Sequence, residues 1–350
     1  MTRQKACSYD SIKSMSKPRV FLTRIILEKG LQMVHEFCQA EVWPDELPPT
    51  REEILAHVRG VEGLLCLLTD RIDAEVMEAA GAGLKIISNH AVGVDNVEVA
   101  AATARGIPVG NTPGILTDAT ADMALALLLA AARRVVEGDR LVKAGGWKTW
   151  SPGFMLGADL TGATLGIVGF GRIGRAVARR ASGFGMRILF TDPSPALSEP
   201  GLAAQQVNLD TLLQESDFIS LHTPLTDETR GLINTNTLRR MKPTSVLVNT
   251  ARGALVDQIA LYNALAEKRI FAAAMDVTDP EPLPTDHPLL RLQNCIIVPH
   301  IASASWQTRQ RMSMMAAENL IAGLKGEKLP NCVNPEVYEK SRRIIKIHNK

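Results

Sequence analysis

A glycine-rich tract near the middle of the chain constrains its fold more than any other feature. Thr164-Leu-Gly-Ile-Val-Gly-Phe-Gly-Arg-Ile-Gly174 combines an apolar strand, a tight turn and the first turn of a helix. Gly169, Gly171 and Gly174 occupy G-x-G-x-x-G positions, where glycine permits the turn, close approach to a pyrophosphate, and close helix–strand packing. The helix N-terminus offers free N–H groups to the anion. The tract predicts a dinucleotide-binding βαβ unit.

The next predicted strand ends in an acidic residue at the spacing expected for such a site. In Arg187-Ile-Leu-Phe-Thr-Asp192, the carboxylate of Asp192 lies 18 residues beyond Gly174. A carboxylate here accepts hydrogen bonds from the ribose hydroxyls of NAD. It also repels a 2′-phosphate, and Thr191-Asp-Pro-Ser-Pro195 holds no Arg or Lys to compensate. We therefore predict NAD(H) as the preferred cofactor. Use of NADP(H) is left open, and a Rossmann-like fold with an empty cleft is the alternative.

The composition indicates a globular protein with enough chain for two domains. The 350 residues are 46% hydrophobic and 22% charged, and a net charge of +2 is too balanced for a nucleic-acid-binding surface. The five cysteines include no C-x-x-C pair, which excludes the common zinc pattern and favours a reducing compartment. The longest apolar run, 123–132, is too short to span a bilayer. We expect no nucleic-acid, membrane or metal partner, and a cytoplasmic location with organelle import left open.

Apolar runs alternate with helical patterns along both halves of the chain, which indicates βαβ crossovers and parallel strands. Strands are predicted at 20–22, 64–68, 85–88, 107–109, 164–168, 187–191, 217–221, 245–249, 271–275 and 295–298. The predicted fold class is α/β, with two Rossmann/flavodoxin-like parallel-sheet domains and an active-site cleft between them.

The helical pattern at 308–320 follows the last strand of the nucleotide-binding half, so we expect it to return to the first domain. The predicted divisions are a disordered N-terminal extension at 1–17, a discontinuous substrate domain at 18–117 plus 303–337, a dinucleotide-binding domain at 118–302 and a basic tail at 338–350.

Three chemically active residues follow three late strands. Arg252 follows the strand at 245–249, Glu281 the strand at 271–275, and His300 the strand at 295–298. Ligands of open parallel sheets bind beyond the carboxyl ends of the strands. We therefore expect these residues to meet where a nicotinamide would lie.

The three residue types suit hydride transfer to a 2-keto acid. His300 can protonate the oxygen that becomes negative, because imidazole titrates near working pH. Glu281 would orient the ring and favour the imidazolium, with Asp279 as its competitor. Arg252 can bind the substrate carboxylate through two hydrogen bonds or, alternatively, bind the cofactor phosphates. A strand-capping role for His300 and a surface-charge role for Glu281 are the structural alternatives.

A second candidate site follows the strand at 85–88. In Asn89-His-Ala-Val-Gly-Val-Asp95, small residues would let the backbone N–H groups of Val92 and Gly93 face an anionic substrate. An ordinary glycine turn is the alternative.

Several of these motifs together resemble the D-isomer-specific 2-hydroxyacid dehydrogenases, over roughly residues 18–337. The motifs are 169–174, 249–253, 276–282 and 299–303. Within that family, the chain is most similar to the glyoxylate/hydroxypyruvate reductases, through 111–122, 145–150 and 280–290.

The resemblance implies Arg252, Glu281 and His300 as the catalytic set, and Val92 and Gly93 as amides that bind the substrate carboxylate. It implies reduction of a small 2-keto acid by NAD(P)H and a homodimer formed through the helix around Met123–Arg133. Implied cofactor contacts are Thr120, Gly169, Gly171, Arg172, Ile173, Gly174, Asp192, Pro224, Thr250, Asp276 and Ala302.

Two further substrate-binding residues are expected, Ser303 and Trp150. The tryptophan would reach the active site of the partner subunit, although plain interface packing is an equal alternative. Ala302 stands where the family usually has glycine, and Trp306 follows closely, so the acyl pocket is expected to differ. The alternatives in function are another D-2-hydroxyacid or phosphite dehydrogenase, or a non-catalytic NAD-sensing scaffold that resembles the C-terminal-binding corepressors.

Overall fold

The computed structural model describes most of the chain, namely residues 16–194 and 201–339. Nearly all of the extension predicted at 1–17 lies outside the described residues, as does most of the tail predicted at 338–350. Within the described parts, no helix is long and apolar enough to cross a membrane.

The chain divides into two compact units, each with its own parallel sheet. One unit joins the described parts of Met1–Pro113 and Gln310–Lys350, and the other is Gly114–Arg309. The first unit is discontinuous, because the chain leaves it after Pro113 and returns at Gln310. The predicted α/β class with two parallel-sheet domains is confirmed.

The first unit contains a five-stranded sheet. Its strands are β1 (Arg19–Leu22), β2 (Gln39–Val42), β3 (Gly63–Cys66), β4 (Ile86–Asn89) and β5 (Val109–Gly110). They lie in the order β2-β1-β3-β4-β5, and all pairs are parallel. The helices of this part of the chain are α1 (Glu28–Phe37), α2 (Arg51–His57), α3 (Ala74–Ala80) and α4 (Val99–Ala104).

The second unit contains a seven-stranded parallel sheet. Its strands are β6 (Thr164–Val168), β7 (Arg187–Thr191), β8 (Ala204–Gln206), β9 (Phe218–Leu221), β10 (Val246–Asn249), β11 (Ala272–Met275) and β12 (Cys295–Ile297). The remaining α-helices are α5 (Thr117–Ala132), α6 (Val135–Lys143), α7 (Arg172–Ser182), α8 (Leu209–Glu215), α9 (Thr235–Leu238), α10 (Gln258–Ala266) and α11 (Trp306–Leu324).

Helices cover both faces of the first sheet, so its central strands are apolar on both sides. Phe21 and Leu64 pack on one face with α2 and α3, in one buried cluster. Val20 and Leu65 pack on the opposite face, where Leu320 of α11 joins them. This alternation follows from the two-residue repeat of a strand.

The second sheet has the order β12-β11-β10-β9-β6-β7-β8, with α5 and α7 on one face and α8 and α10 on the other. From β6 the chain moves outward to β7 and β8, and then crosses back to β9. The direction of winding therefore reverses between β6 and β9, and such a switch point opens a crevice at the carboxyl ends of the strands. The sequence predicted six strands here; the additional strand is β8.

Candidate active site

The glycine-rich turn connects β6 to α7 at the switch point of the second sheet. Gly169 has a positive φ of 90°, and a Cβ there would lie 2.7 Å from the carbonyl carbon of His222. A Cβ on Gly174 would lie 2.1 Å from the carbonyl oxygen of Gly169. Only glycine fits these two positions. Gly171, by contrast, borders open space and is the N-cap of α7, so the helix N-terminus is accessible to a ligand.

Asp192 follows β7 and lies beside this turn. One carboxylate oxygen accepts a 2.7 Å hydrogen bond from the N–H of Phe170, and the other accepts a 2.9 Å bond from the N–H of Ser194. The carboxylate is half-buried. The structure thus brings the acidic residue and the glycine-rich turn together, and it adds a bond to Phe170 that the sequence did not predict.

Three neighbouring strands bring the predicted catalytic residues to one edge of the second sheet. β10, β11 and β12 are adjacent and parallel, so the segments that carry Arg252, Glu281 and His300 leave the sheet side by side. A Cβ on Gly253 would lie 2.0 Å from the carbonyl carbon of Thr278, so the arginine segment is packed directly against the glutamate segment.

Glu281 and His300 form a hydrogen-bonded pair. Nδ1 of His300 lies 2.9 Å from Oε2 of Glu281, and their side chains are 29% and 28% exposed. Oε1 of Glu281 accepts a 2.9 Å bond from the N–H of Thr278. Burial opposes ionisation, yet the bond from His300 and the charges of His300 and Arg252 lower the pKa of Glu281. The carboxylate is therefore ionised at neutral pH.

The backbone at His300 is held in a left-handed conformation, with a φ of 52°. Its N–H lies 2.9 Å from the carbonyl oxygen of Asp276. The carboxylate of Asp276 accepts bonds of 2.7 and 2.8 Å from the N–H groups of Ile301 and Ala302. Asp276 is buried, and this burial raises its pKa despite the two amide bonds. Its hydrogen bonds hold the turn that presents the imidazole.

Arg252 is half-buried at the carboxyl end of β10. The side chain of Asn249 donates a 2.8 Å bond to the carbonyl oxygen of Arg252, which fixes the turn after the strand. Arg252 lies close enough to Glu281 for its charge to contribute to the lowered pKa of that carboxyl group. The three predicted catalytic residues are thus brought together within one unit.

The candidate substrate-binding loop, at 89–95, belongs to the first unit. Val92 and Gly93 follow β4 and are half-buried, and their N–H groups have no hydrogen-bond acceptor among the described residues. Ser303 is buried in the second unit, and its carbonyl oxygen accepts a 2.9 Å bond from the N–H of Ser305. Trp150 is 75% exposed, so it is not part of a buried site within a single chain.

Comparison with known proteins assigns the family. The profile of the "D-isomer specific 2-hydroxyacid dehydrogenase, NAD binding domain" matches residues 125–302. The chain is 56% identical to a glyoxylate reductase of Korarchaeum cryptofilum, over 92% of this chain and 98% of the relative. It is 50% identical to a glyoxylate reductase of Thermofilum pendens, over 93% and 97% of the two chains.

The chain belongs to the D-isomer-specific 2-hydroxyacid dehydrogenase family. A crystal structure of a Thermus thermophilus protein has the same fold, with a TM-score of 0.85 and 51% identity over 90% of this chain and 99% of that one. The predicted family and its enzymatic character are confirmed: the protein is an oxidoreductase that uses a nicotinamide cofactor.

The residues at the switch point fit the dinucleotide that this family binds. Thr250 is buried, and its hydroxyl oxygen has no hydrogen-bond partner among the described residues. A bound cofactor can supply that partner. Arg172 and Ile173 form the first turn of α7, beside the open space at Gly171. The other predicted contacts are Thr120, which is buried in α5, Pro224, which follows β9, and Ala302, which is buried.

His222 also follows β9, where the sequence predicted a structural or cofactor-adjacent role. Its Nε2 lies 2.8 Å from the hydroxyl oxygen of Ser220, and burial lowers its pKa to about 3. The ring is therefore neutral at physiological pH and carries no charge to the cofactor crevice of this dehydrogenase.

The sequence did not identify the residues that hold the Glu281 segment. The hydroxyl of Thr278 donates a 2.8 Å bond to the carbonyl oxygen of Pro280. The side chain of Gln258, at the start of α10, donates to the carbonyl oxygen of Asp279. Asp279, the competitor for the role of Glu281, instead lies 3.8 Å from Nη1 of Arg230. Gln258 is far from this segment along the chain, and no local pattern marks it.

Proposed function

We propose that this dehydrogenase reduces glyoxylate, hydroxypyruvate or a similar small 2-keto acid to the 2-hydroxy acid. The observation that carries the proposal is the Glu281–His300 pair, with Nδ1 and Oε2 2.9 Å apart, beside the charge of Arg252. The relatives at 49–56% identity are named glyoxylate reductases, which supports this substrate class.

A bound reduced nicotinamide supplies the hydride. The side chains of this chain bind the substrate and donate the proton. Hydride addition to the carbonyl carbon leaves a negative oxygen, which takes a proton from His300. Because Nδ1 faces Glu281, Nε2 is the nitrogen that delivers this proton. The ionised Glu281 fixes the ring and stabilises the imidazolium before transfer.

The substrate carboxylate requires its own partners. The guanidinium of Arg252 can bind it through two hydrogen bonds and polarise the adjacent carbonyl group. The backbone N–H groups of Val92 and Gly93 supply further donors for the carboxylate, and Ser303 is a further candidate contact.

We propose NADH rather than NADPH as the preferred reductant. The carboxylate of Asp192 lies beside the glycine-rich turn, where it accepts the N–H of Phe170 at 2.7 Å. A ribose hydroxyl can donate to this carboxylate, whereas the 2′-phosphate of NADPH would be repelled.

We further propose a homodimer. The helix predicted to form the interface is α5, of which eight of the sixteen residues are buried within its own unit. Apolar side chains are also exposed on the segment that follows α5. They are Val135, Val142, Trp147, Trp150, Phe154 and Leu156. A second copy would cover this surface, and Trp150 would then lie in the interface. Light scattering that reports the mass of one chain would overturn this proposal.

Steady-state oxidation of NADH with a panel of 2-keto acids tests the function. We expect glyoxylate or hydroxypyruvate to give the highest kcat/KM. A turnover below about 0.1 s⁻¹ on every acid, against typical enzyme values of roughly 1–10³ s⁻¹, would contradict the proposal and favour the non-catalytic scaffold.

A further inference from the structure

Side chains and backbone of the first unit hold three consecutive carbonyl groups in the loop after β4. The carbonyl oxygen of Val92 accepts a 2.8 Å hydrogen bond from Nδ2 of Asn111. The carbonyl oxygen of Gly93 accepts a 2.9 Å bond from Nδ2 of Asn89. The carbonyl oxygen of Ala91 accepts a 2.8 Å bond from the N–H of Thr112. All three peptide groups at 91–94 are therefore fixed.

Fixing a carbonyl group also fixes the next N–H group. In a planar trans peptide, the C=O of one residue and the N–H of the following residue point in opposite directions. The bond from Asn111 to Val92 thus orients the N–H of Gly93, and the bond from Thr112 to Ala91 orients the N–H of Val92. Neither N–H has an acceptor within the described chain. Both are available to an anion.

Asn89 is itself held rigidly. It is fully buried at the end of β4, and Nδ2 also donates a 2.9 Å bond to Oδ1 of Asn96. Nδ2 of Asn96 donates to the carbonyl oxygens of Leu67 and Asp70, at 2.9 and 3.1 Å. The loop is thereby tied to the segment that follows β3.

Asn111 is anchored from the C-terminal part of the same unit. Its carbonyl oxygen accepts a 2.9 Å bond from Nδ2 of Asn319, which is fully buried in α11. A Cβ on Gly110 would lie 2.8 Å from Cβ of Asn319, so the two backbones approach closely here. The asparagine that holds Val92 is therefore held by α11.

We propose that Asn111 is a positioning residue that orients the carboxylate-binding N–H of Gly93, and that Asn89 supports it by fixing the next peptide group along the loop, through the carbonyl oxygen of Gly93. This inference rests on the proposed function, because it requires a substrate with a carboxylate. Neither side chain is assigned to the chemistry. Their effect is to keep the N–H groups oriented before substrate arrives, which lowers the entropy lost on binding.

Loss of either asparagine amide should weaken binding of the carboxylate more than it slows the chemical step. The carboxylate is bound in the ground state and in the transition state alike, and loss of such uniform binding raises KM with little change in kcat. If the asparagines had a merely structural role, their loss would lower thermal stability or the yield of active enzyme, and it would not raise KM while leaving kcat little changed.

The test compares Asn111→Leu, Asn89→Leu and a control, Asn294→Leu, in the full chain. Asn294 directly precedes β12, away from the loop at 91–94, and is also half-buried. Its Nδ2 donates to the carbonyl oxygens of Leu265 and Phe271. The readouts are KM and kcat for glyoxylate, the Kd of oxalate as an unreactive carboxylate probe, and the Kd of NADH. Asn111 is half-buried, so its variant tests the inference even if Asn89→Leu fails to fold.

We expect Asn111→Leu to raise the KM of glyoxylate and the Kd of oxalate roughly tenfold or more, which corresponds to loss of about 1.4 kcal/mol of binding. Its kcat and Kd of NADH should change less than about threefold, and the control should match wild type in all four quantities. An active wild type together with an Asn111→Leu variant of unchanged KM and oxalate affinity would overturn the inference alone. A wild type inactive on every 2-keto acid would overturn the proposed function.

Discussion

Nδ1 of His300 lies 2.9 Å from Oε2 of Glu281, although the two residues come from loops after different strands. The second oxygen of the carboxylate accepts the N–H of Thr278, so both oxygens are engaged. A carboxylate fixed in this way holds the imidazole in one orientation and leaves Nε2 for the substrate. This geometry supports the proposed role of His300 as the proton donor.

Glu281→Gln should lower kcat while NADH binding is retained. The amide keeps the size of the side chain but removes the negative charge that stabilises the imidazolium. We expect a loss of roughly 100-fold in kcat, at the lower end of what general acid–base catalysis contributes. A Glu281→Gln variant whose kcat equals that of wild type would exclude this role.

The depressed pKa of Glu281 also predicts how stability depends on pH. Its pKa is lower in the folded protein than in the unfolded chain, so the carboxylate stabilises the fold above its ordinary pKa of about 4.3. That contribution disappears as the pH falls through the lowered folded-state pKa. Thermal unfolding of wild type and Glu281→Gln should therefore differ more at pH 7 than at pH 3. If the difference in thermal stability between wild type and Glu281→Gln instead grows as the pH falls, the pKa of Glu281 is not lowered in the folded protein.

Asp192→Asn should narrow the preference for NADH over NADPH. The amide removes the charge that repels a 2′-phosphate but preserves an oxygen that can accept the N–H of Phe170. We expect the ratio of kcat/KM values for the two cofactors to fall roughly tenfold, equivalent to about 1.4 kcal/mol. If wild type already uses NADPH better than NADH, the electrostatic argument for this position is wrong.

Two glycines of the same turn should respond differently to alanine. A Cβ on Gly174 would meet the carbonyl oxygen of Gly169 at 2.1 Å, so Gly174→Ala should destabilise the fold by about 1–3 kcal/mol. Gly171 meets no atom within 4 Å, so Gly171→Ala should leave thermal stability unchanged yet weaken NADH binding roughly tenfold, since the methyl group occupies the approach to the pyrophosphate. Gly83→Ala, where a Cβ also meets nothing within 4 Å, is the matched control. Unaltered NADH affinity in Gly171→Ala would place the pyrophosphate elsewhere.

The central strands could be predicted because helices cover both faces of each sheet. The run predicted at 64–68 corresponds to β3 (Gly63–Cys66), and that at 217–221 to β9 (Phe218–Leu221). β2 and β8 were not predicted. Each lies at the edge of its sheet and is partly exposed, with the sequences Gln-Ala-Glu-Val and Ala-Gln-Gln. Their extended conformation depends on pairing with a neighbouring strand, which leaves no apolar pattern in the sequence.

The residues of the candidate site could be proposed because each follows a strand, and parallel strands end at one edge of a sheet. The sequence could not predict the positive φ of His300 or the amide bond from Thr278 to Glu281, since both depend on how the loops pack. The asparagine bonds to Val92 and Gly93 were missed for the same reason. Asn111 is near Val92 only because β4 and β5 are paired.

Replacement of His300 tests the central claim most directly. We predict that His300→Ala lowers kcat for glyoxylate reduction by roughly 10²–10⁴-fold, the usual contribution of a general acid, while the Kd of NADH stays within about twofold of wild type. Single-turnover measurements with pre-bound NADH would separate the chemical step from product release. A His300→Ala variant that reduces glyoxylate at the wild-type rate would contradict the account, because the negative oxygen would then obtain its proton from another source.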